Sequence, residues 1–176
     1  MFTDRKSPRI PGYDYAVPNY YFITICTDKH KYLFWTDESL NQYGKIAGEH
    51  MQKISDIYPG VEILKFVIMP NHLHAIVAIH ADSGTKCGND LRQIVGQYKM
   101  SVTKEMHAIG YPNAVWQRSF HDHIIRNEKS YQDIWKYIDN NPLQWELDCF
   151  YQKADSEDRW EGHCPSPTMD GESRGR

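Results

Sequence analysis

VEILKFVIMPNHLHAIVAIH, residues 61–80, decides how the rest of the chain is read. Val61 to Met69 and His72 to His80 are two runs dense in β-branched and apolar residues, and Pro70-Asn71 between them is turn chemistry. Two strand-like runs joined this tightly are expected to pair as an antiparallel hairpin. Upstream of the hairpin, Leu40, Tyr43, Ala47, Met51, Ile54 and Ile57 recur at steps of three or four until Pro59-Gly60. That is an amphipathic helix with a stop signal. Earlier still, Tyr20 to Thr27 (YYFITICT) is aromatic and β-branched, as strands are. Downstream, Leu91, Ile94, Val95, Tyr98, Val102 and Met106 repeat at helical spacing. Val115 to Arg126 contains a short strand candidate, and Asn127 caps a third helix that Pro142 ends.

The order strand, helix, strand, strand, helix, strand, helix predicts an α+β fold of the ferredoxin-like, split βαβ type. In it an antiparallel sheet carries helices on one face, here with one extra C-terminal helix. A chain of 176 residues fits a single domain. Residues 1–19 read as an extended basic arm, with Arg5, Lys6 and Arg9 among Pro8, Pro11 and Pro18. Residues 20–153 form the folded domain. The polar, acidic stretch 154–176 is expected to be disordered.

The net charge of −3 hides an uneven distribution. Residues 86–136 hold eight Lys or Arg against five Asp or Glu, whereas residues 155–176 hold three against six. An acidic tail thus masks a mildly basic body, and the sum does not exclude a nucleic-acid partner. No apolar run approaches the roughly 20 residues needed to cross a bilayer. Charges and prolines stand near the start where a secretory signal would be apolar, so a cytoplasmic location with no membrane partner is expected. Cys26, Cys87, Cys149 and Cys164 show no CxxC pair, which favours reduced thiols over a disulfide framework or a zinc ribbon.

His72-Leu73-His74 carries the strongest chemical signal. Residues two apart on a strand point the same way, with Cα atoms about 6.5 to 7 Å apart, so two imidazoles can share one cation. The same pattern also describes two polar residues facing solvent. The third helix adds to the signal. Tyr131, Ile134, Trp135 and Ile138 form its apolar stripe, while Tyr137 and Asn141 lie outside it and about 6 Å apart along the axis. A hydroxyl and an amide oxygen are thereby offered together. Tyr137 equally suits a tyrosine at the edge of a core, and Asn141 a helix C-terminus before proline. Two rivals are weaker: His121-Asp122-His123 lacks the hairpin setting, and Tyr98 sits in an apolar stripe of its own helix.

PNHLH (70–74) followed by KYIDNNP (136–142) resembles the IS200-like single-tyrosine transposases of the HUH class, and more closely their domesticated relatives, the REP-associated tyrosine transposases. YYFITICT, VIMPNHLHAIV, VWQRSFHDHIIRNEKSY and YIDNNPLQW support it, over roughly residues 18–148. The resemblance implies that His72 and His74 bind a divalent ion, Mg²⁺ or Mn²⁺, and that Tyr137 attacks the DNA backbone. The transposases often carry Gln four residues after the tyrosine as a third ligand, and the REP-associated branch resembles this chain in having Asn there, here Asn141. It further implies a metal-dependent endonuclease and strand transferase acting on single-stranded DNA with hairpins or repeats, through a 5′-phosphotyrosine, as monomer or homodimer. The alternative is a catalytically inactive protein of this fold that binds single-stranded DNA hairpins. Arg5, Lys6, Arg9, Lys99, Lys104, Arg118 and Arg126 are candidates for phosphate contacts, with Trp116 available for stacking.

Overall fold

The structure, a computed structural model, describes residues 12–81 and 90–151. The hairpin forms as expected: β4 (Val61–Ile68) pairs antiparallel with β5 (His72–Ile79) across Met69 to Asn71. Before it come β1 (Asn19–Cys26), a two-residue-per-strand ribbon of β2 (Trp35–Thr36) and β3 (Ser39–Leu40), and helix α1 (Gln42–Ile57). After it come α2 (Leu91–Ala108), β6 (His121–Ile125) and α3 (Glu128–Asn140). The main sheet runs β4-β5-β1-β6, with every neighbouring pair antiparallel. Leaving the ribbon aside, that is the strand order of the ferredoxin-like split βαβ unit.

Each helix starts on a side-chain cap that satisfies otherwise orphaned N–H groups. Asn41 Oδ1 accepts from the Tyr43 and Gly44 amides at 2.9 and 3.0 Å, Asp90 Oδ1 from Arg92 at 2.8 Å, and Asn127 Oδ1 from Ser130 at 2.8 Å. The Asn41 cap explains why α1 begins at Gln42 although its apolar spacing extends back to Leu40, which lies in the ribbon instead. Gly44 is required where it stands. A Cβ there would sit 2.3 Å from the Phe34 carbonyl oxygen, so only glycine lets α1 approach that backbone.

The sheet is covered on both faces. Tyr21, Ile23, Ile25, Leu73, Ala75, Val77 and Ile79 face α1 and α2 in the larger core; Phe22, Ile76 and Ile125 face Ile134 and Ile138 of α3 in a smaller one. The extra helix therefore occupies the face opposite α1 and α2. All eight residues of β5 are buried as a result, the pattern of a strand enclosed on two sides. A bulge between Ile63 and Lys65 shifts β4, setting Lys65 over the Trp135 ring at 4.1 Å with its ammonium 2.6 Å from Asp139.

Packing reaches further upstream than Tyr20. Tyr15 is buried in the larger core and Tyr21 Oη donates to the Val17 carbonyl at 2.8 Å, so the end of the expected arm lies against the sheet. Arg5, Lys6, Arg9 and the stretch 154–176 lie outside the described residues. Cys26 is a free thiol that burial pushes up to about 12, whereas Cys149 is disulfide-bonded, against the expectation of four reduced thiols. Spacing along the chain cannot report which sulfurs meet in space. Among the described residues no helix is long and apolar enough to cross a membrane.

Candidate functional site

His72 and His74 sit on the β5 face turned towards α3, paired in register with Cys26 and Thr24 of β1. Enclosure on both sides of the sheet buries them to 0% and 2% exposure, so they are not the solvent-facing pair the bare pattern also allowed. Buried imidazoles need partners, and each has one on its Nδ1. His72 Nδ1 lies 2.9 Å from Asn71 Oδ1, and His74 Nδ1 lies 2.8 Å from Thr24 Oγ1. The Asn71 amide group donates to the carbonyls of Phe150 at 2.8 Å and His30 at 3.3 Å, which turns its Oδ1 towards His72. That oxygen accepts only, so the His72 proton is on Nδ1 and its Nε2 carries a lone pair. That lone pair lies 3.0 Å from His74 Nε2, so His74 donates from Nε2 and its Nδ1 accepts from the Thr24 hydroxyl.

Burial, and next the charge of His30, pushes His72 down to about 3. Burial also holds His74 well below its usual value, and His72 adds to this while Asp148 opposes it. Both rings are therefore neutral near pH 7, the form in which imidazole ligates metals.

Tyr137 reaches the same point from α3. Its Oη lies 3.2 Å from His74 Nε2 and donates to Asp148 Oδ2 at 3.2 Å, while its ring meets Phe22 and His74 edge-on. Burial, then the negative Asp148, raises its pKa, so the resting phenol is neutral. The 3-10 segment Asn141–Leu147 continues from α3 and returns the chain over the site. Asn141 Nδ2 donates to Asp148 Oδ2 at 2.9 Å, and the Phe150 amide donates to Asp148 Oδ1 at 2.8 Å. Asn141 Oδ1 is buried with no hydrogen-bond partner among the described residues.

These features fit a divalent cation. One ring nitrogen each of His72 and His74 and a carboxylate oxygen of Asp148 lie within 4.8 Å of one another, and the Asn141 amide nitrogen reaches the same carboxylate. Nitrogen from imidazole and oxygen from carboxylate and amide suit Mn²⁺, and the oxygens suit Mg²⁺. Among the described residues this is the one such group of His, Cys, Asp or Glu. Asp148 escaped the sequence reading because a single Asp seven residues beyond Asn141 carries no periodic or motif signal; only the returning chain brings it to the imidazoles. The same chain closes the site. The Phe150 ring lies 4.5 Å from that of His72 and the Trp145 ring 5.9 Å.

The remaining candidates separate. Lys99, Lys104, Trp116 and Arg118 line one groove of about 690 Å³ between α2 and the loop before β6. Trp116 is committed to the fold there: its Nε1 donates to the Lys99 carbonyl at 3.2 Å and its ring packs on Phe34 and Tyr98, so it is not free for stacking. Arg126 lies elsewhere, in a pocket shared with Glu62, His80, Glu128 and Tyr131. Tyr98 is buried and donates to the Ala47 carbonyl at 3.0 Å, consistent with a core role. His121 and His123 lie on β6, at the edge of the sheet.

Comparison with known proteins gives concordant results. The family model for IS200-like transposases matches residues 16–141. A Haemophilus influenzae protein of uncharacterised function is 36% identical, spanning 84% of this chain and 93% of its own. A REP-associated tyrosine transposase of Escherichia coli is 32% identical over 47% of this chain and 45% of its own. The solved structure of a REP-associated tyrosine transposase bound to a REP hairpin superposes with a TM-score of 0.59 at 22% identity, covering 80% of this chain and 75% of that one, a likeness of fold.

Proposed function

The chain belongs to the IS200-like transposase family, and from that premise we propose that it is a metal-dependent single-stranded DNA endonuclease and strand transferase. It acts on strands bearing hairpin or repeat sequence, in the cytoplasm, through a 5′-phosphotyrosine on Tyr137. The observation that carries this reading is the meeting of a phenol with two imidazole Nε2 atoms: Tyr137 Oη is 3.2 Å from His74 Nε2, which is 3.0 Å from His72 Nε2.

His72 and His74 would hold the ion, Mg²⁺ or Mn²⁺, with Asn141 Oδ1 and Asp148 as oxygen donors. Such an ion neutralises phosphate charge and orients the scissile group. Tyr137 Oη attacks phosphorus; the new O–P bond replaces the bond to the 3′ oxygen, which leaves as a hydroxyl after taking a proton from water, and the hydroxide so formed is neutralised by the proton the phenol gives up. The phenol proton passes to Asp148 Oδ2, its hydrogen-bond acceptor at 3.2 Å. The ester retains the energy of the broken bond, so a second 3′-hydroxyl can displace the tyrosine without a nucleotide cofactor.

The test is adduct formation on a single-stranded oligonucleotide with Mn²⁺ or Mg²⁺. Wild-type protein is expected to form a covalent protein–DNA band that a chelator abolishes, and Tyr137→Phe to form none while still binding DNA. An adduct that survives Tyr137→Phe removes this nucleophile. One observation favours a second reading, a binding protein that no longer cuts: Phe150 and Trp145 cover a histidine pair with 0% and 2% exposure. Hairpin binding with no adduct under any metal condition is the result that reading expects.

A further inference from the structure

We propose that His121 of β6 gives a proton to the departing 3′ oxygen when Tyr137 attacks, and takes it back from a 3′-hydroxyl when the strand is rejoined. This rests on the strand-cutting reading above and puts a side chain where that reading uses water.

Sheet register places His121. Thr24 of β1 is the Cα partner of His74 on one side and of His121 on the other, so the three residues form one row across β5, β1 and β6. Partners in a row point to the same face of a sheet. Thr24 Oγ1 lies 2.8 Å from His74 Nδ1, so that face is the one bearing the histidine pair. By alternation His123 and Ile125, the partners of Phe22 and Tyr20, share it.

The helix α3 covers this row of β6 residues unevenly. Ile125 is buried against Ile134 and Ile138, whereas His123 is exposed and His121 half-buried. Later residues of α3 lean to the opposite edge of the sheet, where Trp135 and Asp139 meet Lys65 of β4. The returning chain closes the site at the other end, with Phe150 on His72. The His121 end of β6 is therefore the open side of the site. Electrostatics show the same closeness. Burial and then the charge of His121 lower the pKa of His30, and burial and then the charge of His30 lower that of His72.

Displacement at phosphorus runs in line, so the attacking and departing oxygens stand on opposite sides of the phosphorus atom. Their proton partners must stand apart in the same way. The acceptor for Tyr137 is Asp148, whose Oδ2 lies 4.0 Å from His72 Nε2 at the closed end. His121 stands across Thr24 from His74, two strand spacings or about 10 Å between backbones, which leaves room for a phosphodiester between the rings. His123 is a further step of about 6.5 to 7 Å along β6, beside Phe22.

In the forward step the Tyr137 O–P bond forms and the P–O3′ bond breaks. The phenol proton goes to Asp148 and the His121 proton to the 3′ oxygen, so the strand leaves as a neutral hydroxyl and His121 becomes neutral. Rejoining reverses both transfers. Imidazole suits this double task because near neutral pH it both gives and takes a proton.

The experiment uses the full chain with Mn²⁺ and a hairpin-bearing oligonucleotide in two forms, one natural and one with sulfur replacing the bridging 3′ oxygen at the phosphate that wild type cuts. A thiolate departs without needing a proton, so the sulfur strand bypasses the donor. His121→Gln is expected to slow formation of the Tyr137 adduct at least about 100-fold on the natural strand and to stay within about threefold of wild type on the sulfur strand. A role confined to folding or DNA binding slows both. The sulfur strand thus also reports folding, and His121→Asn repeats the test with a smaller side chain. Equal loss on both strands in both variants, or no loss on the natural strand in either, overturns the assignment and leaves strand cutting standing. No adduct from wild type on either strand removes the strand-cutting reading, and this assignment with it.

Discussion

Lowering the pH of the metal-free protein probes the centre of the site directly. His72 is wholly buried, and burial, then the charge of His30, pushes its pKa from the usual 6.5 to about 3. Between those values the unfolded chain binds the proton and the folded chain does not. Stability is therefore intact above pH 6.5 and drains as pH falls towards 3. At pH 5 the unfolded imidazole is almost fully charged and the folded one almost fully neutral, a loss of about 2 kcal/mol at about 1.4 kcal/mol per unit. Against a typical total of about 5–15 kcal/mol this is readily measured. Urea melts followed by circular dichroism at pH 7.5, 6 and 5, with chelator present, compare wild type with His72→Gln, which cannot titrate there. Carboxylates common to both proteins cancel in the difference. Wild type should lose about 2 kcal/mol more than the variant across this range. Parallel pH dependence in the two proteins would show that the imidazole is not held neutral by burial, and a preformed lone-pair site would have to be abandoned with it.

Three other perturbations each act on a single interaction. Thr24→Val keeps shape but removes the hydroxyl beside His74 Nδ1; calorimetric titration should find Mn²⁺ affinity reduced about 10–100-fold, and unchanged affinity would mean the hydroxyl does not orient the ring. Gly44→Ala drives a Cβ to 2.3 Å from the Phe34 carbonyl oxygen; denaturant melts should register a loss of at least about 1–3 kcal/mol, since backbone on both sides must move. Phe150→Ala removes the ring packed on His72; diethyl pyrocarbonate should then modify His72 and His74 at neutral pH faster than in wild type, and equal rates would mean Phe150 is not what excludes solvent.

Legibility from sequence differs sharply between elements. The hairpin, both long helices and the capped third helix were legible because apolar period and cap chemistry are local properties, settled by neighbours a few residues away. Tyr137 and Asn141 fall together for the same reason: four residues on a helix share a side whatever else the chain does. The histidines were legible as a pair but not as a buried pair. Whether a strand is covered on one face or two depends on where α3 lands, and the H-x-H spacing is identical in both cases.

The order of strands and helices, the alternation that points His72 and His74 the same way, and the side of α3 that bears Tyr137 are written in the local pattern of residues. That α3 covers the far face of the sheet, that Asp148 and Phe150 return over the imidazoles, and that Lys104 and Arg118 line one groove emerge only once the chain has folded. Periodicity reports which way a side chain points along its own element. It carries no information about which distant element arrives to meet it, and the carboxylate beside Tyr137, the cover and the groove are all made by such meetings.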